Sequence, residues 1–502
     1  MPKFYITTSI PYVNARPHVG HALEFVQTDV IARYRKAKGY SVSLTTGSDE
    51  NSLTNVLAAE KLGIGVRELC DANSLLFRSM ADRIGLSYDA FVRTSADKDH
   101  AAVAEAIWGR CSKSGDIYRK KYKGLYCVRC ELYYTESELV AGLCPEHKVK
   151  PEVVEEENYF FRLSRYQDRI LELVEKGTVR ITPDGRKNEV LSFVKSGLED
   201  FSISRSVKRA HGWGIPVPGD PSQIIYVWFD ALGTYLTGAG MPSDMKRFGK
   251  LWPADVHVIG KGIARFHAVY WLAMLISAGL ELPREIFIHG YVTIEGQKMS
   301  KSIGNVVDPI DMIEKYGADP LRYYLIKNVS TFEDGDFSEK ALREAINSEL
   351  VGNLGNFVNR TLTFISSKLD GKIEEQELGE GALAMKNVAG LVDDVDALLA
   401  DGQLNAALLK VMEISGMGNK YFQDSEPWKL VKEGDGPAAR EVLFVCANIC
   451  RILGIVAWPF MPAASEKLLG YVGCGTHNFA QARKLVKKFA VVRPQILFSK
   501  VE

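Results

Sequence analysis

Hydrophobic positions set the first elements. Lys3 to Ile10 is β-rich, led by Phe4, Tyr5 and Ile6, and predicts a strand. Pro11 to Pro17 holds two prolines and Asn14 and reads as a loop. From His18, apolar residues at Leu23, Val26, Val30, Ile31 and Tyr34 recur mostly at three- and four-residue spacing, which predicts a helix ending near Gly39. Ser41 to Thr46 predicts a second strand, followed by Gly47-Ser48-Asp49. This is a β-α-β unit of the length a parallel sheet needs. Such sheets bind ligands beyond the carboxyl ends of their strands, where both the 11–21 loop and Asp49 fall.

From about 118 to 225 the rhythm breaks, and the segment reads as an insertion with its own small metal site. Strand patterns resume at Ile224–Trp228, Val256–Ile259 and Ile286–Ile288, with helical patterns between them. Beyond Ser338 the chain is almost wholly helical: Ala341–Leu369 reads as one long helix, with others over Leu404–Phe422 and Ala438–Val456. The expected divisions are 1–117 and 226–293 for the two halves of the parallel-sheet domain, 118–225 for the insertion, 294–348 for a lysine-bearing loop and connecting segment, and 349–502 for a helical bundle.

Composition narrows the class. The 502 residues are 46% hydrophobic and 25% charged, which excludes disordered and small disulfide-scaffold proteins. Lys plus Arg equals Asp plus Glu at 62 each, so any nucleic-acid partner must be met by local basic patches. The two most apolar stretches, 268–280 and 442–461, are too short or too interrupted to span a bilayer, and the N-terminus lacks a signal-peptide pattern. No membrane partner and a cytoplasmic location are therefore expected. Three of the eight cysteines cluster between 127 and 144, which favours metal chemistry over disulfides.

Three constellations carry candidate chemistry. His18-Val19-Gly20-His21 opens the first helix, where backbone N–H groups and two imidazoles can hold an anion and the glycine admits it closely. Lys298-Met299-Ser300-Lys301-Ser302 suits a loop whose ammonium groups offset phosphoryl charge. Cys127-x2-Cys130, thirteen residues, then Cys144-x2-His147 has the paired spacing of a closed, tetrahedral structural Zn²⁺ site.

Taken together, and in this order, these motifs resemble the class I aminoacyl-tRNA synthetases with their HIGH and KMSKS segments. The likeness sharpens to the methionyl-tRNA synthetase family, of the bacterial type with a single zinc knuckle. It extends through Ser9-Ile10-Pro11-Tyr12-Val13-Asn14, Tyr226-Val227-Trp228-Phe229-Asp230-Ala231, Ile288-His289-Gly290-Tyr291-Val292 and Ser302 to Pro309. The resemblance implies a Rossmann-type parallel-sheet catalytic domain (α/β) with a zinc-knuckle insertion, followed by an α-helical anticodon-binding bundle. It implies ATP-dependent ligation of L-methionine to tRNA(Met) through methionyl-adenylate, with Mg²⁺ accompanying ATP. His18, His21, Lys298 and Lys301 would be catalytic, and Gly20 would join them around ATP. Ile10, Tyr12, Asp49, Trp228, Tyr235 and His289 would hold methionine. Asn356 and Arg360, one turn apart on a helix face, and Trp428 would meet the anticodon.

Three departures accompany the likeness: Asn51-Ser52 stands where the family has His-Gly, Gly262 where it has an acidic residue, and Val19 where it has another aliphatic residue. The residues leave two alternatives open: an adenylating ligase acting on a small amine, and a non-catalytic tRNA-binding paralogue. A monomer is expected.

Overall fold

The computed structural model describes residues 1–128, 131–134, 136–145, 148–294, 296–298 and 305–502. At its centre is a six-stranded, all-parallel sheet. Its strands are β1 (Lys3–Thr8), β2 (Ser41–Ser48), β3 (Ala90–Arg93), β4 (Arg180–Thr182), β5 (Val256–Gly260) and β6 (Glu285–His289), in the order β3-β2-β1-β5-β6-β4. The order reverses between β1 and β5, so a crevice opens at their carboxyl ends. The edge strand β4 comes from within the segment expected to be the insertion and pairs with β6 through Ile181 and Ile286.

Alternation along the strands divides two cores. Phe4 and Ile6 of β1 face one layer, and Tyr5 between them faces the other; Phe287 and its neighbours Ile286 and Ile288 divide likewise. The first layer contains helix α1 (Val19–Ala37) and is continuous with the helical bundle. The second contains the helix Lys98–Lys113, the π-helical turn Phe266–Trp271 and the insertion. The insertion's main body is an antiparallel sheet of Leu132–Tyr134, Ile117–Cys127, Glu152–Phe161 and Phe201–Ser202, in that spatial order.

Two expectations on elements change. The run 224–228 is not one strand: the strand Asp220–Ile225 ends there, and Val227–Ala231 turns into a short helix after Tyr226, whose carbonyl accepts from Phe229 and Asp230 N–H. An apolar aromatic run fits a buried strand and a buried helix equally well by periodicity, so the error has a physical origin. The long helix expected over 341–369 is instead helix Glu339–Ala345, a π-helical stretch Ile346–Gly355, and helix α2 (Asn356–Lys368). Helix α3 (Leu404–Asp424) and the helix Gly436–Val456 match expectation within two residues.

The bundle is fastened to the sheet domain through buried polar groups. Arg322 is fully buried; it pairs with Asp29 of α1 at 2.7 Å and donates to the carbonyls of Ile84, Pro459 and Phe460. At the far end of α1, Tyr34 Oη donates to Asp396 Oδ1 at 2.7 Å and Lys38 pairs with the same carboxylate at 2.8 Å. Among the described residues, no helix is long and apolar enough to cross a membrane.

Candidate functional site

A cleft of about 330 Å³ opens at the carboxyl ends of β1, β5 and β6. Its lining includes Ile10, Tyr12, His18, Gly20, His21, Trp228 and His289, drawn from four separated stretches of sequence.

The helix start is built by the two histidines. His18 precedes α1 in an extended conformation and its Nδ1 accepts from Gly20 N–H at 3.1 Å; His21 Nδ1 accepts from His18 N–H at 3.2 Å. Each imidazole thus satisfies a backbone donor that a helix N-terminus otherwise leaves unpaired. With Nδ1 accepting, a neutral ring carries its proton on Nε2. The rings stack with centroids 3.8 Å apart. Burial and the neighbouring His18 hold the His21 imidazole well below its ordinary range, so it is neutral at pH 7.

Segments beyond the lysine-rich stretch return to this helix start. Val19 N–H donates to the Val307 carbonyl at 3.1 Å, and Arg16 pairs with Asp308 at 2.9 Å. Asp308 also caps the helix Pro309–Tyr316 through Ile310 N–H. Lys298 lies in the short strand Gln297–Lys298, paired with Val292–Ile294. Lys301 lies outside the described residues. Gly290 precedes that hairpin, and a Cβ there would fall 2.2 Å from the Glu333 carbonyl oxygen, so only glycine permits this approach of the two backbones.

At the other end of the cleft Trp228 stacks on Phe266 with centroids 3.8 Å apart and planes 5° from parallel, and Tyr12 meets the indole edge-on at 6.3 Å. Asp49 bridges to Tyr12 through backbone pairing, its N–H donating to the Pro11 carbonyl at 2.8 Å. Among the described residues Asp49 Oδ1, Tyr12 Oη and Trp228 Nε1 are buried without a hydrogen-bond partner. Burial first, then the carboxylates of Asp230 and Glu131, push the Asp49 carboxyl well above the ordinary aspartate range. Burial likewise raises the Tyr12 phenol, with Glu131 and Asp49 adding to it.

His289 bridges two acceptors: its Nδ1 lies 2.7 Å from the Gly290 carbonyl and its Nε2 2.9 Å from Glu24 Oε2. Glu24 also accepts from Ser9 N–H and Oγ. Tyr235 does not line the cleft. It is buried behind it, its hydroxyl 2.6 Å from His267 Nε2. Glu24, Phe266 and His267 are participants that sequence reasoning missed. Glu24 did leave a signal, a carboxylate flanked by Leu23, Phe25 and Val26 on an otherwise apolar run.

The departures from the family pattern have local partners. Asn51 Nδ2 donates to Asp230 Oδ2 at 2.6 Å, and Ser52 caps the helix Leu53–Leu62 while its hydroxyl meets Glu131 at 2.5 Å. Gly262 lines the cleft, and its neighbour Lys261 pairs with Asp334 at 2.7 Å.

In the insertion, Cys127 and Cys144 are both buried, and Cys144 Sγ lies 3.6 Å from the Tyr134 hydroxyl. Cys130 and His147 lie outside the described residues. Among the described residues no group of three or more metal-ligating side chains comes together; a thiol is by its donor chemistry a zinc ligand, and Cys127 ends the strand Ile117–Cys127.

In the bundle, Asn356 and Arg360 lie on one face of α2 against α3, where Asn356 Nδ2 donates to Asn419 Oδ1 at 3.3 Å and Arg360 Nη2 to Gln423 Oε1 at 3.0 Å. Trp428 is half-buried at the start of the helix Pro427–Glu433, with the Arg360 guanidinium 5.7 Å from its ring centroid. The structure therefore assembles all three residues in one place.

Comparison with known proteins gives consistent matches. The family model for class I tRNA synthetases (M) matches residues 4–151 and 146–362, and the anticodon binding domain of methionyl tRNA ligase matches 374–502. Methionine–tRNA ligase of Brucella suis is 43% identical over 478 residues, covering 93% of this chain and 91% of that protein. The Rhizobium meliloti ligase is 42% identical over 507 residues, covering 99% and 97%. Among solved structures, Mycobacterium tuberculosis methionyl-tRNA synthetase in complex with methionyl-adenylate superposes with a TM-score of 0.94 at 41% identity, over 99% of this chain and 100% of that one.

Proposed function

The chain belongs to the methionyl-tRNA synthetase family of class I, and from that premise we propose how its residues serve the ATP-dependent ligation of methionine to tRNA. The enzyme activates methionine as methionyl-adenylate, releasing pyrophosphate, and transfers the methionyl group to tRNA with release of AMP.

The observation that carries the residue assignments is the cleft's division into a histidine-bearing helix start and an aromatic end. At the histidine end, His18 and His21 present Nε2–H groups to phosphate oxygens, and Gly20, lacking a Cβ, lets them approach the positive end of α1, whose first N–H groups are already paired. In-line attack of the methionine carboxylate on the α-phosphorus requires no protein nucleophile; positioning and charge stabilisation suffice. Lys298 and Lys301 offset the charge on the departing pyrophosphate. Mg²⁺, entering with ATP, would supply further positive charge.

At the aromatic end, the stacked Trp228–Phe266 pair and Tyr12 suit a thioether by shape and polarizability. The unpartnered Asp49 carboxylate oxygen and the Ile10 backbone suit the substrate ammonium. His289, held by Glu24 and Gly290, closes that wall. Tyr235 acts from behind, through His267. In the bundle, Asn356 and Arg360 address base edges of the tRNA(Met) anticodon and Trp428 stacks on an unpaired base. Cys127, Cys130, Cys144 and His147 would hold a structural Zn²⁺, which would tie the insertion together.

The test is ATP–pyrophosphate exchange dependent on each standard amino acid, with charging of tRNA(Met). Exchange with methionine alone, together with charging, supports the reading. Exchange without charging would place the chain among ligases of small amines, and absence of both would make it a binding paralogue.

A further inference from the structure

A relay of side-chain amides runs between α2 and α3. Asn419 Nδ2 donates to the backbone carbonyl of Asn353 and to its side-chain oxygen, each at 2.9 Å. A backbone carbonyl can only accept, so the nitrogen of Asn419 faces Asn353 and its oxygen faces the other way. That oxygen accepts from Asn356 Nδ2. The orientation of Asn356 is thereby set too: its nitrogen faces Asn419, so its carbonyl oxygen points the other way, at an exposed position. Asn353 is itself fixed, donating to the Met412 carbonyl and accepting from Ser415 Oγ.

One turn further along α3, Gln423 Oε1 holds Arg360 Nη2, while Phe422 lies 4.8 Å from the guanidinium. The helices approach closely enough for this because residue 418 is glycine. A Cβ there would fall 2.4 Å from Cζ of Phe357.

We propose that Asn419 and Gln423 are positioning residues that set which base the proposed anticodon readers accept. With both in place, Asn356 offers an acceptor and Arg360 offers donors beside it. That pattern fits the edge of cytosine, an amino donor next to ring and carbonyl acceptors. It rejects uracil, whose O4 and N3–H reverse the first two positions. The inference rests on the reading that α2 and Trp428 meet the anticodon.

The test compares charging of tRNA(Met) transcripts with CAU and UAU anticodons by the full chain and by Arg360→Ala, Asn419→Ala and Gln423→Ala. Thermal unfolding and ATP–pyrophosphate exchange are followed alongside. For Asn419→Ala, kcat/KM on CAU should fall about tenfold with little change on UAU, so that the preference for cytosine shrinks. Gln423→Ala, at an exposed position that tolerates truncation, should shrink it in the same direction by a smaller factor. Equal losses on both transcripts, or an unchanged preference in both variants, would overturn the positioning role. A cytosine preference that survives Arg360→Ala would overturn the underlying anticodon reading and the inference with it.

Discussion

Replacing Asp49 by asparagine tests the proposed ammonium anchor, buried beside Tyr12 at the aromatic end of the cleft. The carboxylate is buried, Oδ1 lacks a partner among the described residues, and Asp230 and Glu131 stand nearby with the same sign of charge. An ammonium group placed there gains a charge-assisted hydrogen bond worth about 1.5–3 kcal/mol. Its loss in Asp49→Asn should raise KM for methionine by roughly ten- to a hundredfold and leave KM for ATP nearly unchanged. The protein without substrate should be no less stable, because the substitution removes a repelled buried charge.

The pH dependence follows from the raised carboxyl. The native state keeps the Asp49 proton to higher pH than the unfolded chain, whose value lies near 3.8. This contribution to stability is therefore full below that value and fades as pH rises through the native one. Binding has the opposite sense: the carboxylate form takes the ammonium, so KM for methionine should rise as pH falls toward the raised value. The asparagine variant should lack that component. Exchange rates titrated against methionine at several pH values, with melting curves of both proteins, measure all of this. An unchanged KM for methionine, or a variant that simply unfolds earlier, would refute the reasoning.

Lys301→Ala should leave methionine affinity nearly intact and slow adenylate formation about 10²–10³-fold, as loss of a charge contact made mainly in the transition state does; single-turnover adenylation measures it. Elemental analysis should find one Zn²⁺ per chain, and chelation should loosen the insertion before the bundle, as protease cleavage sites would show. Trp428→Ala should lower charging efficiency roughly five- to a hundredfold by removing about 1–3 kcal/mol of base stacking. Exchange should be unaffected; an equal loss of both activities with a lowered melting temperature would mark the indole as core instead.

What could be read from sequence was local. The β-α-β unit around α1 was legible because the strand residues, the loop prolines and the apolar spacing from Leu23 to Tyr34 all agree with one structure. Asn356 and Arg360 were legible as neighbours because helical spacing fixes their shared face. What escaped was set by tertiary contact. Phe266 sits in an ordinary apolar stretch and Glu24 stands out only as a lone carboxylate within one; the closing of the sheet against α1 and of the π-helical turn against Trp228 brings them to the cleft. Tyr235 shared the chemistry of the pocket wall but not its position, because Tyr235 points to His267 beneath it.

Helix α1 serves as a ruler. Its N-terminal end carries the stacked histidines, His18 as cap and His21 in the first turn; its middle holds Glu24 and Asp29, and its last turn leads to Tyr34 and Lys38 against the bundle. Its 19 residues span about 28 Å. Adding or deleting one residue anywhere inside would shift one end by about 1.5 Å and rotate it by roughly 100° relative to the other. Arg322 would then face a different side chain in place of Asp29, or the imidazoles would leave the crevice. Substitutions can be absorbed one contact at a time, but a change of length is felt at both ends at once. The spacing between the histidine end of the cleft and the anticodon-binding bundle is thus written into the residue count of a single helix.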